Sequence, residues 1–224
     1  LVYQLAALMF LKCLTVGLFQ ENCYLIGDPS TGVGAIIDPG DEAERILDAV
    51  RESKLSYRYI LNTHAHLDHV GAVDAVKKAL GIPFYLHRDE ESILNSFPMQ
   101  AALFGLPPLR VPRVDVWYDM AATIMIGTLS IRLLFTPGHT PGGVSLYIAK
   151  EKTLIAGDTL FNGSIGRTDL PGGDFDTLIS SIHNELYALP DDTLVYPGHG
   201  PETTIGYEKQ YNPFCATHRG GYLA

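Results

Sequence analysis

Tryptophan, cysteine and positive charge are scarce in this chain. Its 224 residues include one Trp, three Cys, and 16 Lys and Arg against 25 Asp and Glu, a formal net charge of −9. That acidic balance makes a phosphate backbone a poor partner, so nucleic-acid binding is not expected. Cys13, Cys23 and Cys215 are odd in number and form no CxxC pair. This argues against a disulfide framework or a cysteine zinc knuckle and fits a reducing, cytoplasmic compartment. No low-complexity run or long polar linker divides the chain, and 46% hydrophobic residues suffice for one sizeable core. A single domain over residues 9–224 is expected. The most apolar run, LVYQLAALMFLKCLTVGLF, is interrupted by Gln4 and Lys12, with no basic flank before it and no small-residue cleavage site after it. Neither a membrane span nor a signal peptide is expected there. Met9 opens a strand-like stretch, which makes residues 1–8 an expected extension or non-native segment.

What is present alternates between strand and helix patterns. FLKCLTVGL, NCYLIGD, GAIID, YRYILNTH and PFYLH read as strands in the first half. DEAERILDAVRES has Asp41 followed by Glu44 three residues on, the pattern of a capping box at a helix start. DHVGAVDAVKKALG reads as one helix closed by Gly81. In the second half TLSIRLLFT, GGVSLYIA and KTLIAGDTLF are strand runs, the last two joined by a turn at Lys150–Glu151. DFDTLISSIHNELYALP places Phe175, Leu178, Ile179, Ile182, Leu186 and Leu189 on one helical stripe. Strands outnumber helices, and helices occur in both halves. A β-sandwich covered by helices on its outer faces accounts for this, an α/β architecture.

The chemistry gathers where apolar strands stop. YILNT runs into His64, LLFTPG into His139, TLIAG into Asp158 and TLVYPG into His199. Loops at strand ends can converge on one edge of a rigid scaffold. THAHLDH adds His66, Asp68 and His69, completing a set of seven imidazoles and carboxylates without a thiolate. In an extended segment His64 and His66 project to the same side and can share one metal ion. Asp68 and His69 lie where the chain turns into the next helix and can reach a second. His139 would complete the first group and His199 the second, with Asp158 as a bridging carboxylate. Such a pair of ions leaves room for water, as an open catalytic site requires. Lone histidines are usually surface or packing residues, and His87, His183 and His218 are read that way.

These residues resemble the metallo-β-lactamase superfamily. THAHLDH matches its signature, and TPGHTPGG, AGDTLF and YPGHG follow in order, over nearly the whole chain from about Met9. The resemblance implies an αβ/βα four-layer sandwich with a dinuclear site at one edge, held by the seven residues above. It also implies a supporting role behind the ligands for Asp38, in IIDPG. True lactamases usually carry a cysteine where Asp158 stands. The stretches FNGSIGRTDLPGGD and GHGPETTIGYEKQYNPF are most similar to short bacterial glyoxalase II-like hydrolases. By that resemblance Arg167 matches a basic residue that holds glutathione, although it could instead pair with Asp169. Pro201 and Asp169 stand where glyoxalase II has tyrosines, and only 25 residues follow His199 in place of a C-terminal helical domain.

The expected activity is hydrolysis of a small-molecule thioester by two divalent ions, zinc first, with iron or manganese also accommodated by nitrogen and oxygen ligands. Asp68 is expected to orient the nucleophile or take its proton. The alternative is a mononuclear iron persulfide dioxygenase, which shares the fold and the GRTD stretch. There His64, His139 and Asp158 would form a facial triad.

Overall fold

The computed structural model describes residues 9–106 and 110–217. Residues 1–8, read above as an extension, and His218 lie outside the described residues.

The first half builds one sheet. β1 (Phe10–Val16), β2 (Glu21–Asp28) and β3 (Val33–Ile37) pair antiparallel in sequence. After α1 (Ala43–Ser53), β4 (Ser56–Leu61) joins β3 in parallel. Helices α2 (Leu67–Val70) and α3 (Val73–Leu80) lead to β5 (Phe84–Leu86). Helices α4 (Glu91–Asn95) and α5 (Phe97–Leu103) precede β6 (Val116–Trp117). The strand order is β1-β2-β3-β4-β5-β6.

The second half builds a facing sheet. β7 (Thr123–Ile126), β8 (Leu129–Phe135), β9 (Val144–Ile148) and β10 (Thr153–Gly157) form an antiparallel meander. A small ribbon, β11 (Leu160–Phe161) with β12 (Ser164–Ile165), follows. Helix α6 (Phe175–Ser181) continues as a wide turn over Ile182–Leu186. β13 (Leu194–Pro197) then pairs in parallel with β10, and β14 (Thr203–Thr204) with α7 (Ile205–Tyr211) closes the edge. The order is β14-β13-β10-β9-β8-β7.

Period-two alternation divides the core into three layers. In β2, Tyr24 and Ile26 face the second sheet while Leu25 faces the helices. Ile37 and Ile36 divide in the same way in β3, as do Leu61 and Ile60 in β4. Ile155 of β10 meets the first sheet, whereas Leu154 and Ala156 pack under α6 against Leu178, Ile182 and Leu186. Strands buried on both faces read as continuous apolar runs rather than alternating ones, as β10 does. The result is the expected αβ/βα four-layer sandwich.

Three helix expectations change in detail. The capping box at Asp41 does not form: α1 starts at Ala43, and Glu42 sits in the left-handed region at φ 50°. That kink turns Asp41 Oδ1 onto the next backbone N–H at 2.6 Å, while Glu42 accepts from Gly17 N–H at 3.0 Å. The helix ending at Gly81 is broken into α2 and α3. Gly40 backs so closely onto it that an added Cβ would lie 1.6 Å from the Asp68 carbonyl. Ala72 N–H therefore bonds to Pro39 O at 3.0 Å instead of continuing the helix. Phe175, placed on the apolar stripe of α6, is 48% exposed. No described helix is long and apolar enough to cross a membrane.

Candidate metal centre

The centre lies where both sheets end. β2 begins there: Asn22 N–H donates to Gly198 O at 2.7 Å, and the Tyr24 hydroxyl donates to Pro197 O at 2.6 Å. Val144 N–H bonds Thr63 O at 2.9 Å, and Gly198 N–H bonds Gly157 O at 2.8 Å. These bonds tie the ends of β2, β4, β9, β10 and β13 into one rim. An added Cβ on Gly198 would lie 2.1 Å from Asp158 Oδ1, so only glycine lets the His199 loop pass so near that carboxylate.

All seven residues read from the sequence meet at this rim. His64, His66 and His139 form one group whose nitrogens lie within 4.8 Å of one another, and Asp68, His69 and His199 form a second. Asp158 touches both: Oδ2 is 3.5 Å from His139 Nε2 and from His199 Nε2, and Oδ1 is 3.4 Å from His69 Nε2. Asp68 Oδ2 lies 3.2 Å from His199 Nε2.

Hydrogen bonds behind the rings set which nitrogen faces inward. The Asp38 carboxylate accepts from Thr63 N–H at 2.7 Å and from the Thr63 hydroxyl at 2.6 Å. With its proton spent on Asp38, the Thr63 oxygen accepts from His64 Nδ1–H at 3.0 Å. His69 Nδ1–H donates to Asp38 at 3.1 Å, and His139 Nδ1–H donates to the Arg167 carbonyl at 2.8 Å. In all three rings Nε2 keeps its lone pair for the cluster, the arrangement found behind metal-ligating imidazoles. Asp38 itself holds a left-handed conformation at φ 48°, unusual for a non-glycine residue.

The residues present suit divalent cations. His64 Nε2, His69 Nε2 and Asp158 Oδ1 are buried without any hydrogen-bond partner, an arrangement too costly to persist unless something else meets them. Burial, reinforced by neighbouring histidines, pushes His64 well below its ordinary value and His66 down to about 3. Both are neutral and able to donate lone pairs at neutral pH. Burial would lower His69 as well, but Asp158 and Asp68 outweigh it and raise that ring well above its ordinary value. Burial would raise Asp158, yet the His69 charge holds it below the usual carboxylate range. The carboxylates that raise His69 call for positive charge at this point, which a cation held by the neutral ring through Nε2 would supply.

Two buried carboxylates beside the centre carry no assignment in the sequence analysis. Glu90, just before α4, accepts from Ala65 N–H at 2.8 Å and Gly142 N–H at 2.7 Å. It joins the loop of His64 and His66 to the loop of His139. Glu21 is 1% exposed, neither of its oxygens has a hydrogen-bond partner, and Oε1 lies 3.8 Å from His69 Nδ1. Burial pushes its carboxyl well above the usual range, with Asp38, Asp68 and Asp158 adding to the shift. In the sequence Glu21 stands out only as an acid just ahead of the NCYLIGD strand run. Glu90 has no such mark.

Arg167 lines the cleft above the centre, and its guanidinium grips Asp169 through two 2.7 Å hydrogen bonds. His87 stacks on Phe135, and the exposed His183 bonds the Cys215 carbonyl at 2.8 Å, so neither joins the centre.

Comparison with known proteins agrees with this geometry. Residues 16–199 match the family model of the metallo-beta-lactamase superfamily. The chain is 42% identical over 208 residues to hydroxyacylglutathione hydrolase GloC of Haemophilus influenzae, covering 92% of this chain and 98% of that one. Among solved structures it is similar to the BLEG-1 B3 metallo-beta-lactamase, with TM-score 0.84, 41% identity and coverage of 92% and 99%. It is similar also to TTHA1623 in a di-iron-bound form, with TM-score 0.83, 39% identity and coverage of 91% and 99%. A nitrogen and carboxylate cluster suited to divalent metals, at the edge of a four-layer sandwich, thus accompanies a family match spanning most of the sequence: the chain belongs to the metallo-beta-lactamase superfamily, as a metallohydrolase.

Proposed function

We infer that the protein is a dinuclear metal-dependent thioesterase, similar in activity to hydroxyacylglutathione hydrolase. The observation that carries this is Asp158, whose two oxygens face histidines of both donor groups at 3.4–3.5 Å. His64, His66 and His139 would hold one ion, and Asp68, His69 and His199 the other, with Asp158 shared. Ions bound there, zinc first, supply Lewis acidity and a water acidified toward neutral pH.

The chain's own groups do the rest. Thr63, Asp38 and the Arg167 carbonyl hold three imidazoles in one tautomer and orientation. Asp68 is the proton acceptor: burial would raise its carboxyl, but His69 and His199 keep it lowered and ionised. Arg167 receives an anionic group of the thiol carrier, in competition with Asp169. Apart from the cluster's own residues, the cleft walls contain no acid among the described residues. A thiolate leaves near neutral pH without one, whereas an amine does not, which favours thioesters over amides. The three cysteines, all unbridged, support the cytoplasmic setting in which such thiol carriers occur.

The test is metal content per chain, followed by a thioester panel and Asp158→Ala. Two zinc ions with thioester cleavage, both lost in Asp158→Ala while the fold persists, is the expected result. One iron per chain with oxygen uptake on glutathione persulfide would assign the protein to dioxygenases instead. Turnover of β-lactams without thioester cleavage would equally overturn the reading.

A further inference from the structure

The walls of the cleft differ in what they offer a substrate. Its volume is about 360 Å³, and beyond the cluster it is walled by Phe19, Leu67, Phe104, Phe161, Ile165 and Leu170. Among the described residues only two polar side chains join them, Gln100 and Arg167. Gln100 is already committed. Its carbonyl accepts from Leu67 N–H at 3.0 Å, and its amide donates to Ile93 O at 3.0 Å and to the Ser96 hydroxyl at 2.9 Å. Arg167 is therefore, among the described residues beyond the cluster, the wall group able to take an ion, and with Ile165 it borders a side cavity that includes Phe175 and Phe214.

On its Phe19 side the cleft adjoins a second cavity of about 200 Å³. Phe19, Leu67 and Asp68 line both spaces, and Val16 and Leu106 extend the apolar surface. Asp41 and Asp68 border this space and repel anions, so it does not suit a carrier's carboxylate. Phe19, in the β1–β2 turn, meets Phe104, just past α5, edge to face with centroids 4.7 Å apart. Leu18 and Leu103, next to them in the chain, are each 78% exposed, and Phe104 is 54% exposed. Apolar side chains grouped beside a reactive centre mark a binding surface in a way that scattered ones do not.

We propose that the Phe19–Phe104 side receives an apolar acyl chain, so that the substrates are alkanoyl thioesters, with the thiol carrier lying toward Arg167. The proposal rests on the thioesterase reading above and goes further by fixing which end of the substrate is apolar. Phe19 and Phe104 are then its specificity-determining residues.

The experiment uses acetyl, butanoyl and hexanoyl thioesters of one thiol on the zinc-loaded protein. Beside it, calorimetry measures binding of acetate, butanoate and hexanoate, which needs no turnover. Burying each methylene should raise kcat/KM, and carboxylate affinity with it, about fourfold until the cavity is full. Phe104→Ala, at a half-exposed position that tolerates truncation, should flatten both slopes, as should Phe19→Ala. Carboxylate binding that strengthens with length while no thioester is cleaved would uphold the apolar pocket and remove the thioesterase reading. Thioester cleavage with a flat or falling dependence on acyl length would overturn the inference. A slope that follows the thiol instead of the acyl group, or tighter binding of an aminoalkanoate than of the alkanoate, would overturn it too.

Discussion

Thr63 is buried, yet it serves two partners at once. Its hydroxyl donates to Asp38 and accepts from His64, so one side chain sets the tautomer of a ring in the centre. Thr63→Val keeps the shape and removes the hydroxyl. Metal affinity should fall about 10- to 100-fold, the usual cost of losing a partner behind a ligating imidazole. Competition with a chelator measures this, and an unchanged affinity would mean that the ring is oriented by other contacts. Arg167 presents a weaker case, because its side chain is 60% exposed and must release Asp169 before it can hold a substrate. Exchange between exposed ion pairs yields little, so Arg167→Ala should raise KM about fivefold and spare kcat. Asp169→Asn should lower KM by freeing the guanidinium. If neither variant shifts KM on any thioester, the pair has a structural role only.

Among the elements, the connection from β5 into α4 contributes most beyond its length. Glu90 opens that stretch and satisfies two buried amides, one in the loop of His64 and His66 and one in the loop of His139. Burial pushes its carboxyl above the usual range, although the two amides and Thr140 oppose the shift. Glu90→Ala would leave both N–H groups without acceptors, at about 1–3 kcal/mol each. A loss of about 2–5 kcal/mol in urea unfolding is expected, together with weaker metal retention. Glu90→Gln should fall between, since its amide group can accept through one atom only. Equal stability for all three proteins would show that water replaces the clamp. The break between α2 and α3 belongs to the same scale. A continuous helix there would need the space that Gly40 fills, and the break keeps Asp68 and His69 on their own short turn beneath the cleft.

Across the whole molecule, the two sheets are pinned together at the end away from chain positions 63–69 by Asp28. This residue closes β2, and its carboxylate accepts from Thr128 N–H at 2.7 Å and the Thr128 hydroxyl at 2.8 Å, in the β7–β8 turn. It also accepts from Ser30 N–H at 2.8 Å and the Ser30 hydroxyl at 2.6 Å. The Ser30 hydroxyl, followed by the Thr128 amide, holds the Asp28 carboxyl well below the usual range. A depressed carboxyl stabilises the fold fully above its unfolded value of about 4, and the contribution is lost as pH falls through the folded value. Asp28→Ala should therefore cost about 2–3 kcal/mol at pH 7, from hydrogen bonds to a charged group. The gap between the two urea midpoints should narrow steadily in acid. A gap that stays constant from pH 7 to pH 2.5 would show that the loss comes from packing alone.

The amino-acid sequence by itself determined the family, the donor types and the alternation of strands with helices. Each of these is local: an apolar run, the residue that ends it, and a spacing of a few positions. Sequence pattern alone predicts one continuous helix before Gly81 and a capping box at Asp41, because nothing nearby announces that Gly40 backs onto Asp68 or that Glu42 turns left-handed. No local pattern marks α4 and α5. Tertiary structure alone decided which nitrogen of each ring faces inward, since the deciding partners lie 25 residues from Thr63, 31 from His69 and 28 from His139. Glu90 reaches across 25 and 52 positions to the two loops it joins, and Asp28 across 100 to its partner turn. Hydrogen bonds between such distant groups have no period and no fixed spacing. They exist only after the sheets have packed and excluded the water that would otherwise satisfy those groups.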